Sequence, residues 1–413
     1  MPGSTNEQRL LDWLYSTQLF GMKLGLDNTR RLLREMKLPR EGQKFIHVAG
    51  TNGKGSVCAF IHSLLKAAEI NAGLFTSPHL VQFRERIRDA RRMISTKELA
   101  SILGALRIQV AEWDPHPTFF ELALGAALRW FSDQEHEWVV LETGLGGRLD
   151  STNALMPAVT IITSIGMDHV GVLGHTLTEI AREKAGIIKP GVPIITLKQK
   201  PEAMEVITRT AREREAPLTV VTTPVRGYEL GLAGQHQHWN AALAVAALKA
   251  MGMKPSEAVL SAGLREVQWP GRFQLLDKGG EFVLDGAHNQ DAAETLVRTW
   301  QQKFPGEKAS IVFGAAANKD IRAVLRALQP IAARWHFTGF ESTRSAEPSQ
   351  VREIHHSLYG DAFPVSVHET PTKALEAAAR DEERVLITGS LYLAGEVLAD
   401  LRGERGIFET SDQ

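Results

Sequence analysis

Residues 45–56 read FIHVAGTNGKGS, an apolar run that leads into a glycine-rich segment. Apolar side chains then recur at helical spacing from Val57 to Ala68, which predicts a helix beginning near Ser56. Strand, glycine-rich loop and helix in this order are typical of a phosphate-binding loop, because glycines leave the backbone N–H groups open to an anion at the positive end of the helix. Lys54 would add charge to the β and γ phosphates, and the Ser56 hydroxyl would bind Mg²⁺.

The spacing departs from the common pattern for such loops. Two residues separate the first glycine from the GK pair, where the common pattern has four, and Gly55 separates Lys54 from Ser56. The alternative is a glycine-rich turn between strand and helix that binds no ligand.

Composition indicates a globular chain of two or three domains. The 413 residues are 43% hydrophobic and 7% aromatic, and the formal net charge of −1 gives no overall electrostatic case for nucleic acid or an anionic membrane. The single cysteine, Cys58, cannot form an internal disulfide. The N-terminus lacks a basic region followed by an apolar one, and no run approaches about 18 apolar residues, so we expect a cytoplasmic protein.

An arginine cluster between residues 84 and 92 is a local exception to this charge balance. Two interpretations stay open for it, a solvated face and a site for a substrate anion. Its members are Arg84, Arg86, Arg88, Arg91 and Arg92.

Polar residues follow three further predicted strands, where the carboxyl ends of a parallel sheet collect ligands. Glu142 ends the strand that begins at Trp138 and is a reasonable Mg²⁺ ligand, although a helix cap or ion pair would also explain it. His169 follows the next strand and either binds metal through its imidazole or packs in the fold. Ser77, before Pro78, is either a turn residue or a ligand.

Four other positions have structural explanations. Thr118 and Phe120 begin a helix predicted from about Phe119, where they would be cap and core. Lys184 lies near the end of a helix that stops near Gly186, where it would pair with the dipole or with Glu183. Asn240 would be the N-cap of a helix that begins there.

Residues 7–38 are predicted to be helical in two pieces with a break near 21–25, and the apolar stretch 17–26 either packs on the core or covers a ligand. A segment containing Pro270 and Gly271 separates two periodic regions, and we expect it to be a domain linker. The predicted organisation is an ATP-binding domain over 1–266, a linker over 267–272 and a C-terminal ligase domain over 273–413. The expected fold class is α/β: a P-loop mononucleotide-binding domain with a parallel-rich sheet, followed by a smaller Rossmann-like domain.

Taken together, the motifs resemble the folylpolyglutamate synthase and dihydrofolate synthase family of the Mur ligase superfamily. The resemblance extends over nearly the whole chain in the family's order. Its motifs are LGL, HVAGTNGKGS, TSPHL, LETGLGGRLDSTN, SIGMDH, EKAGIIK, PGR, DGAHN and TGS.

This resemblance implies an ATP-dependent amide ligase. ATP would phosphorylate a carboxylate of dihydropteroate or of a reduced folate, and the amine of L-glutamate would attack the acyl phosphate and release phosphate. It further implies ATP and Mg²⁺ as cofactors, with a monovalent cation as a further candidate, and a monomer that binds small molecules, not nucleic acid or membrane. Whether the chain adds the first glutamate, later glutamates or both stays open.

The resemblance also assigns residues to roles. For ATP these are Gly50, Thr51, Asn52, Gly53, Lys54, Gly55, Ser56, Asn240, Arg272 and Asp285. For the metal they are Ser77, Glu142 and His169. For the pterin or folate they are Thr118, Phe120, Glu121, Leu149, Asp150 and Ser151. For glutamate they are His288 and Ser390, and the residues expected to act in catalysis are Lys54, His169 and a carbamylated Lys184.

Carbamylation of Lys184 has a physical motive. An ammonium about 4 Å from Mg²⁺ would be repelled by about 8 kcal/mol at an effective dielectric of about 20, whereas a carbamate is an anion that binds metal. The chain departs from the family pattern at Asn318, where a DKD-like run is expected and Asn318, Lys319 and Asp320 stand. A nucleotide-dependent regulatory module and an assembly scaffold remain as alternatives from other classes.

Overall fold

The computed structural model describes residues 5–20, 25–276, 281–405 and 408–409 of the chain. Within them the chain forms two α/β units, each built on its own sheet. The predicted break near 21–25 falls largely on residues 21–24, which lie outside the described residues, as does Leu24, the first residue of the LGL motif. Among the described helices, none combines the length and apolar character needed to span a bilayer.

The first unit contains a sheet of seven described strands in the order β3-β2-β4-β1-β5-β6-β7, parallel except for the pairing of β3 with β2. These strands are β1 (Lys44–Ala49), β2 (Gly73–Phe75), β3 (Ile87–Arg88), β4 (Trp138–Glu142), β5 (Val159–Ile162), β6 (Ile194–Leu197) and β7 (Leu218–Val221). Its helices are α1 (Asn6–Ser16), α2 (Asp27–Glu35), α3 (Lys54–Ala67), α4 (Thr96–Gln109), α5 (Phe119–Asp133), α6 (Val170–Leu173), α7 (Leu177–Ala185), α8 (Pro201–Glu213), α9 (Gln235–Ala250) and α10 (Glu257–Arg265). Short 3₁₀ helices cover Thr17–Phe20, Phe83–Arg86 and Ser151–Ala154.

The second unit contains a sheet of six described strands in the order β12-β11-β10-β13-β9-β8, parallel except for β8. The strands are β8 (Gln274–Leu275), β9 (Phe282–Leu284), β10 (Ala309–Phe313), β11 (Ala332–Thr338), β12 (Val365–His368) and β13 (Arg384–Thr388). The helices are α11 (Gln290–Lys303), α12 (Ile321–Leu328), α13 (Pro348–Tyr359), α14 (Pro371–Ala378) and α15 (Leu391–Arg402), with a 3₁₀ turn at Gln329–Ile331.

Strand β1 lies at the centre of the first sheet, between β4 and β5. Its residues from Phe45 onward are buried on both faces, as expected for a central parallel strand covered by helices. Ile46 and Val48 pack against α3 and α9 on one face, while Phe45 joins the core formed with α4 and α5 on the other. The central position of β1 sends the residues after Ala49 to the edge of the sheet where β4 and β5 also end.

The two-unit α/β fold with parallel-rich sheets confirms the predicted fold class. Cys58 is fully buried on α3 among aliphatic side chains, so it packs as a small apolar residue. The predicted linker at 267–272 lies between the end of α10 at Arg265 and the start of β8 at Gln274.

Candidate functional site

The glycine-rich loop connects β1 to α3, which begins at Lys54 rather than near Ser56. Gly50 and Gly53 have φ angles of 151° and 91°, which favour glycine. A Cβ at Gly50 would lie 1.8 Å from the Thr163 hydroxyl oxygen, and one at Gly53 would lie 2.8 Å from Asn240 Oδ1. The backbone path of this loop therefore depends on glycine at both positions.

Helix α9 packs directly against this loop. Asn240 lies inside α9, which begins at Gln235, so the predicted helix start and the N-cap interpretation of Asn240 were both wrong. Asn240 donates a hydrogen bond to Gln237 Oε1 at 2.9 Å, and Gln237 Nε2 lies 3.4 Å from Ser56 Oγ. Gln237 was not predicted as a site residue, because the helix was expected to begin only at Asn240 and its helical spacing to Asn240 was therefore hidden.

Two lysines meet beneath the loop at one carbonyl oxygen. Lys184 donates from Nζ to Gly50 O at 2.7 Å, and Lys54 donates to the same oxygen at 3.2 Å and to Thr51 O at 3.3 Å. Lys184 is only 4% exposed. Its burial, reinforced by the charge of Lys54, lowers its pKa from 10.5 to about 7.

Glu142 and Ser77 converge at the carboxyl ends of β4 and β2. The Ser77 backbone N–H donates to Glu142 Oε2 at 3.2 Å, and Glu142 is 4% exposed. Burial raises the pKa of this carboxyl, although the charge of Lys54 opposes the effect. Both residues line a cavity of about 40 Å³ together with Gly55 and Arg272.

Glu142 and Ser77 can be compared with the donor groups that a divalent cation requires. No group of three His, Cys, Asp or Glu side chains in the described chain is arranged to hold a metal ion. Magnesium, however, is commonly held by one or two carboxylates, with substrate phosphates and water completing its shell. A buried carboxylate that lines one cavity with a serine, at the edge of a phosphate-type loop, fits that donor set.

His169, the third predicted metal ligand, lies in a different set of contacts. Its Nε2 is 3.5 Å from Lys319 Nζ and 3.9 Å from Asp168 Oδ1, and among the described residues no hydrogen bond or ion pair joins it to Glu142 or Ser77. Its φ angle is 51°, the left-handed region. Loss of water around the ring lowers the pKa of His169 to about 4, so the imidazole is neutral at pH 7.

A polar network joins the loop to the second unit. Asn52 and Asn289 exchange two side-chain hydrogen bonds of 3.0 and 3.2 Å, and Asn289 also donates to Asp168 Oδ2 at 3.1 Å. Lys319 and His288, both from the second unit, face the same carboxylate. Burial alone would raise the pKa of Asp168, but the His288 ring and the Lys319 charge outweigh it and hold that pKa well below its usual range.

Asp168, Asn289 and Lys319 were not predicted as site residues. Lys319 belongs to the Asn318–Asp320 run that departs from the family pattern, and this was the only signal for it in the sequence. Their contacts cross between sheets that are far apart along the chain, so local spacing could not reveal them.

The remaining residues assigned to ATP and glutamate lie at the ends of β9 and β13. Asp285 accepts backbone hydrogen bonds from Phe273 and Ala287, both at 2.8 Å. Ser390 is buried and caps α15 by accepting a bond from the Tyr392 N–H at 3.1 Å. The Gly389 N–H donates to Ala287 O at 3.1 Å, which brings Ser390 beside the segment that carries His288.

The residues assigned to the pterin pocket cluster around the start of α5. Thr118 and Glu121 form a capping box, and Glu121 Oε1 also accepts a bond from Thr29 at 3.0 Å. The Phe120 ring lies 5.5 Å from that of Phe75 and touches the backbone at Gly144, where a Cβ would be 2.7 Å from Phe120 Cζ.

Three more members of this set lie where the segment after Gly144 turns into a 3₁₀ helix. Leu149 is partly buried and Ser151 is buried as the first residue of that 3₁₀ helix. Asp150 is its N-cap, and it is buried with both carboxylate oxygens hydrogen-bonded. Asp150 therefore fixes the shape of the chain around this pocket.

The arginines between residues 84 and 92 lie in different environments, some at the surface and some buried near the site. Arg92 pairs with Glu98 at the surface. Arg86 is fully buried and donates from Nε to His79 Nδ1 at 2.8 Å. Arg88 lies 4.5 Å from the Trp269 ring and lines the cavity of Glu142.

Comparison with known proteins identifies the family of the chain. The chain matches the Mur ligase middle domain over residues 48–211 and the Mur ligase glutamate ligase domain over residues 271–391. It is 36% identical to the Bacillus subtilis dihydrofolate synthase/folylpolyglutamate synthase, over 96% of this chain and all of that protein.

Solved structures agree with the sequence comparison. Escherichia coli FolC in complex with DHPP and ADP is 30% identical, with a TM-score of 0.86 over 96% of this chain and 98% of that one. A bifunctional folylpolyglutamate synthase/dihydrofolate synthase with Mn, AMPPNP and L-glutamate bound is also 30% identical, with a TM-score of 0.84 over 95% and 98% of the two chains. This chain therefore belongs to the folylpolyglutamate synthase and dihydrofolate synthase family of Mur ligases.

Proposed function

We propose that the protein is an ATP-dependent ligase that adds L-glutamate to dihydropteroate and to the γ-carboxylate of tetrahydrofolate through an acyl phosphate. The observation that carries this proposal is the convergence of Lys54 and Lys184 on Gly50 O, beside the buried carboxylate of Glu142. Two cations, a glycine-rich loop and a carboxylate at one sheet edge suit a nucleotide triphosphate with its divalent metal.

The loop residues bind and orient the phosphates. Backbone N–H groups from Gly53 to Ser56 face the anion at the start of α3, whereas those of Thr51 and Asn52 donate to Ser164 O at 2.8 and 3.4 Å and fix the shape of the loop. Lys54 swings from its contacts with Gly50 O and Thr51 O to the transferred phosphoryl group. Magnesium, when bound by Glu142 and Ser77, neutralises charge on the phosphates. His169 is the third metal ligand in this proposal and reaches it once Lys319 has moved away from the ring.

Lys184 is modified rather than left as an ammonium. A pKa of about 7 leaves a large fraction of the side chain as the free amine at neutral pH. That amine attacks the carbon of CO₂, loses a proton to water, and becomes a carbamate anion. Intact mass in bicarbonate should show this adduct, and a mass without CO₂ would remove the carbamate from the proposal.

The acceptor lies in the pocket around Phe120, with Thr118, Glu121, Leu149, Asp150 and Ser151 forming its walls. Glutamate enters from the second unit near His288 and Ser390, while Asn240, Arg272 and Asp285 hold the rest of ATP. The reaction then proceeds between the two units, and the Asn52–Asn289 pair aligns them.

Magnesium is the proposed physiological metal, with a monovalent cation as a further activator. The protein would act as a monomer in the cytoplasm on small-molecule substrates. Glu142 and Ser77 support the choice of magnesium, since a single carboxylate with a hydroxyl suits a hard cation that keeps phosphate oxygens in its shell.

The test is phosphate release with product mass, run with dihydropteroate and separately with tetrahydrofolate. We expect release to require both the acceptor and L-glutamate, and product to gain one glutamate residue. Lys54→Ala should abolish release, whereas Lys66→Ala, at the far end of the same helix, should not. Product from tetrahydrofolate alone would indicate a monofunctional folylpolyglutamate synthase. Phosphate release independent of glutamate would indicate a regulatory module, and failure to bind ATP would indicate a scaffold.

A further inference from the structure

His47 is a buried titratable residue in the middle of β1 to which the proposed mechanism gives no role. It is 1% exposed and lies between Leu141 of β4 and Thr160 of β5 in the sheet register. Its Nε2 is 2.7 Å from Thr152 Oγ1, whereas its Nδ1 is buried without a hydrogen-bond partner. A buried ring with one satisfied and one orphaned nitrogen calls for an explanation.

The direction of the hydrogen bonds follows from the number of protons. The Thr152 hydroxyl has one hydrogen, which it donates to Asp150 Oδ1. Thr152 Oγ1 can then only accept from His47, so the ring carries its proton on Nε2. Burial, aided by the charge of Lys189, lowers the pKa of His47 to about 3, so the ring stays neutral and keeps this single donor at every working pH.

The chain of bonds ends on a loop. Asp150 also accepts from the Thr152 N–H at 3.0 Å and, through Oδ2, from the Leu145 N–H at 2.9 Å. The His47–Thr152–Asp150 chain thus ties β1 to residues 143–150, the segment that directly follows Glu142.

This segment touches both halves of the proposed reaction centre. On one side, Gly144 lies against the Phe120 ring of the proposed acceptor pocket. On the other side, the Arg148 N–H donates to Glu183 O at 2.7 Å, and a Cβ at Gly147 would lie 3.0 Å from Lys184 O. A shift of the segment by a few tenths of an ångström would therefore change the wall of the acceptor pocket and the backbone that carries Lys184.

We infer that His47 is a positioning residue, which through Thr152 and Asp150 holds residues 143–150 in the shape that binds the pteroyl acceptor. It touches no substrate itself. The inference rests on the proposed function, because the acceptor pocket is part of that proposal. The loop at Gly50–Ser56 makes none of these bonds and, among the described residues, is connected to the segment only through Lys184, so KM for ATP should change less than KM for the acceptor.

The first test compares substitutions along the chain of bonds. His47→Leu and Thr152→Val each remove one link, and we expect each to raise KM for dihydropteroate about tenfold while KM for ATP stays within about twofold. His47→Gln, which keeps an N–H donor near the position of Nε2, should recover most of the loss. The double variant His47→Leu/Thr152→Val should be no worse than either single one, because both break the same connection.

His62→Leu is the matched control. His62 is also a histidine of low pKa in the first unit, and it bonds to Ala72 O at 3.1 Å, away from residues 143–150. We expect it to leave KM for dihydropteroate unchanged. Parallel rises of KM for ATP and dihydropteroate, or a glutamine variant as impaired as the leucine variant, would overturn the inference.

Hydrogen exchange supplies a measurement that needs no turnover. In His47→Leu the Leu145 and Thr152 amides should exchange about tenfold faster than in the wild type, and His62→Leu should leave them unchanged. Unchanged exchange at both amides in His47→Leu would refute the positioning role. A wild type that does not use dihydropteroate or tetrahydrofolate would instead refute the proposed function, and the exchange result would still decide whether His47 holds the loop.

Discussion

Lys184→Met should make the protein more stable at pH 6 and inactive at every pH. Lys184 is buried beside a second lysine, and its charged form loses most of its hydration in the fold. Methionine has a similar length and flexibility without the charge. The substitution therefore separates what the amine contributes to the reaction from what its burial costs the fold.

The size of the effect follows from the pKa. A fall from 10.5 to about 7 corresponds to about 5 kcal/mol of unfavourable free energy while the folded protein holds the charged amine. Between pH 7 and 10.5 the unfolded chain binds more protons at this residue than the folded chain, so its contribution to stability rises with pH. Below pH 7 the full cost is present. Above pH 10.5 this cost is gone, and Met then leaves Gly50 O without its donor, for a loss of about 1 kcal/mol.

The assay is urea unfolding of both proteins in CO₂-free buffers from pH 6 to pH 10. The variant should be the more stable by several kcal/mol at pH 6, and the difference should shrink to zero or reverse by pH 10. Lys189→Met is the control: that lysine is also bonded to a carbonyl, at Asn153, but it is only partly buried, so its effect should vary less with pH. A stability difference between wild type and Lys184→Met that stays constant across this range would refute the reasoning.

Three further substitutions test other parts of the site. Gly50→Ala should destabilise the protein by more than about 2 kcal/mol and abolish nucleotide binding, because the added Cβ has no space and the φ angle at this position is positive. A free energy of unfolding close to that of the wild type would contradict this. Glu142→Gln should fold with at least wild-type stability, since it removes a buried charge. It should weaken ATP binding at least about tenfold in the presence of Mg²⁺ but not in EDTA. Equal losses of affinity in both conditions, measured by calorimetry, would exclude a metal role for Glu142. Thr118→Ala should cost about 1 kcal/mol in urea unfolding by removing the cap that bonds Glu121, and an unchanged midpoint would show that the cap contributes nothing.

The parts of the fold that the sequence predicted best are those decided by local rules. The glycine-rich loop lies between a buried strand and a helix, as the pattern required. The start of α9 was predicted too late because the GQHQHW segment shows no helical spacing of apolar residues. Its N-cap, Gly234, also has no side chain that could cap the helix. Strands β3 and β12 were missed because each is short and lies at an edge of its sheet, where partners and not periodicity define a strand.

In the candidate site, too, local rules predicted some residues, whereas the positions of others depend on the packing of distant segments. Ser77 and Glu142 were expected to meet because both end parallel strands of one sheet, and they do. The position of Lys184 directly under Gly50 depends on how α7 packs below the loop, which the spacing of residues along the chain does not encode. Asp168 and Lys319 come from different sheets, and only the docking of the two units could bring them together.

The paired side-chain amides of Asn52 and Asn289 help to keep the two units aligned. A side-chain amide carries no charge that could titrate or attract a counterion. This pair of hydrogen bonds should therefore be equally stable at low and at high salt concentration. Its neighbour, the ionic contact of Lys319 with Asp168, is largely buried, so dissolved ions screen it only weakly. Rising ionic strength should therefore leave both contacts, and with them the alignment of the two units at the loop, largely unchanged.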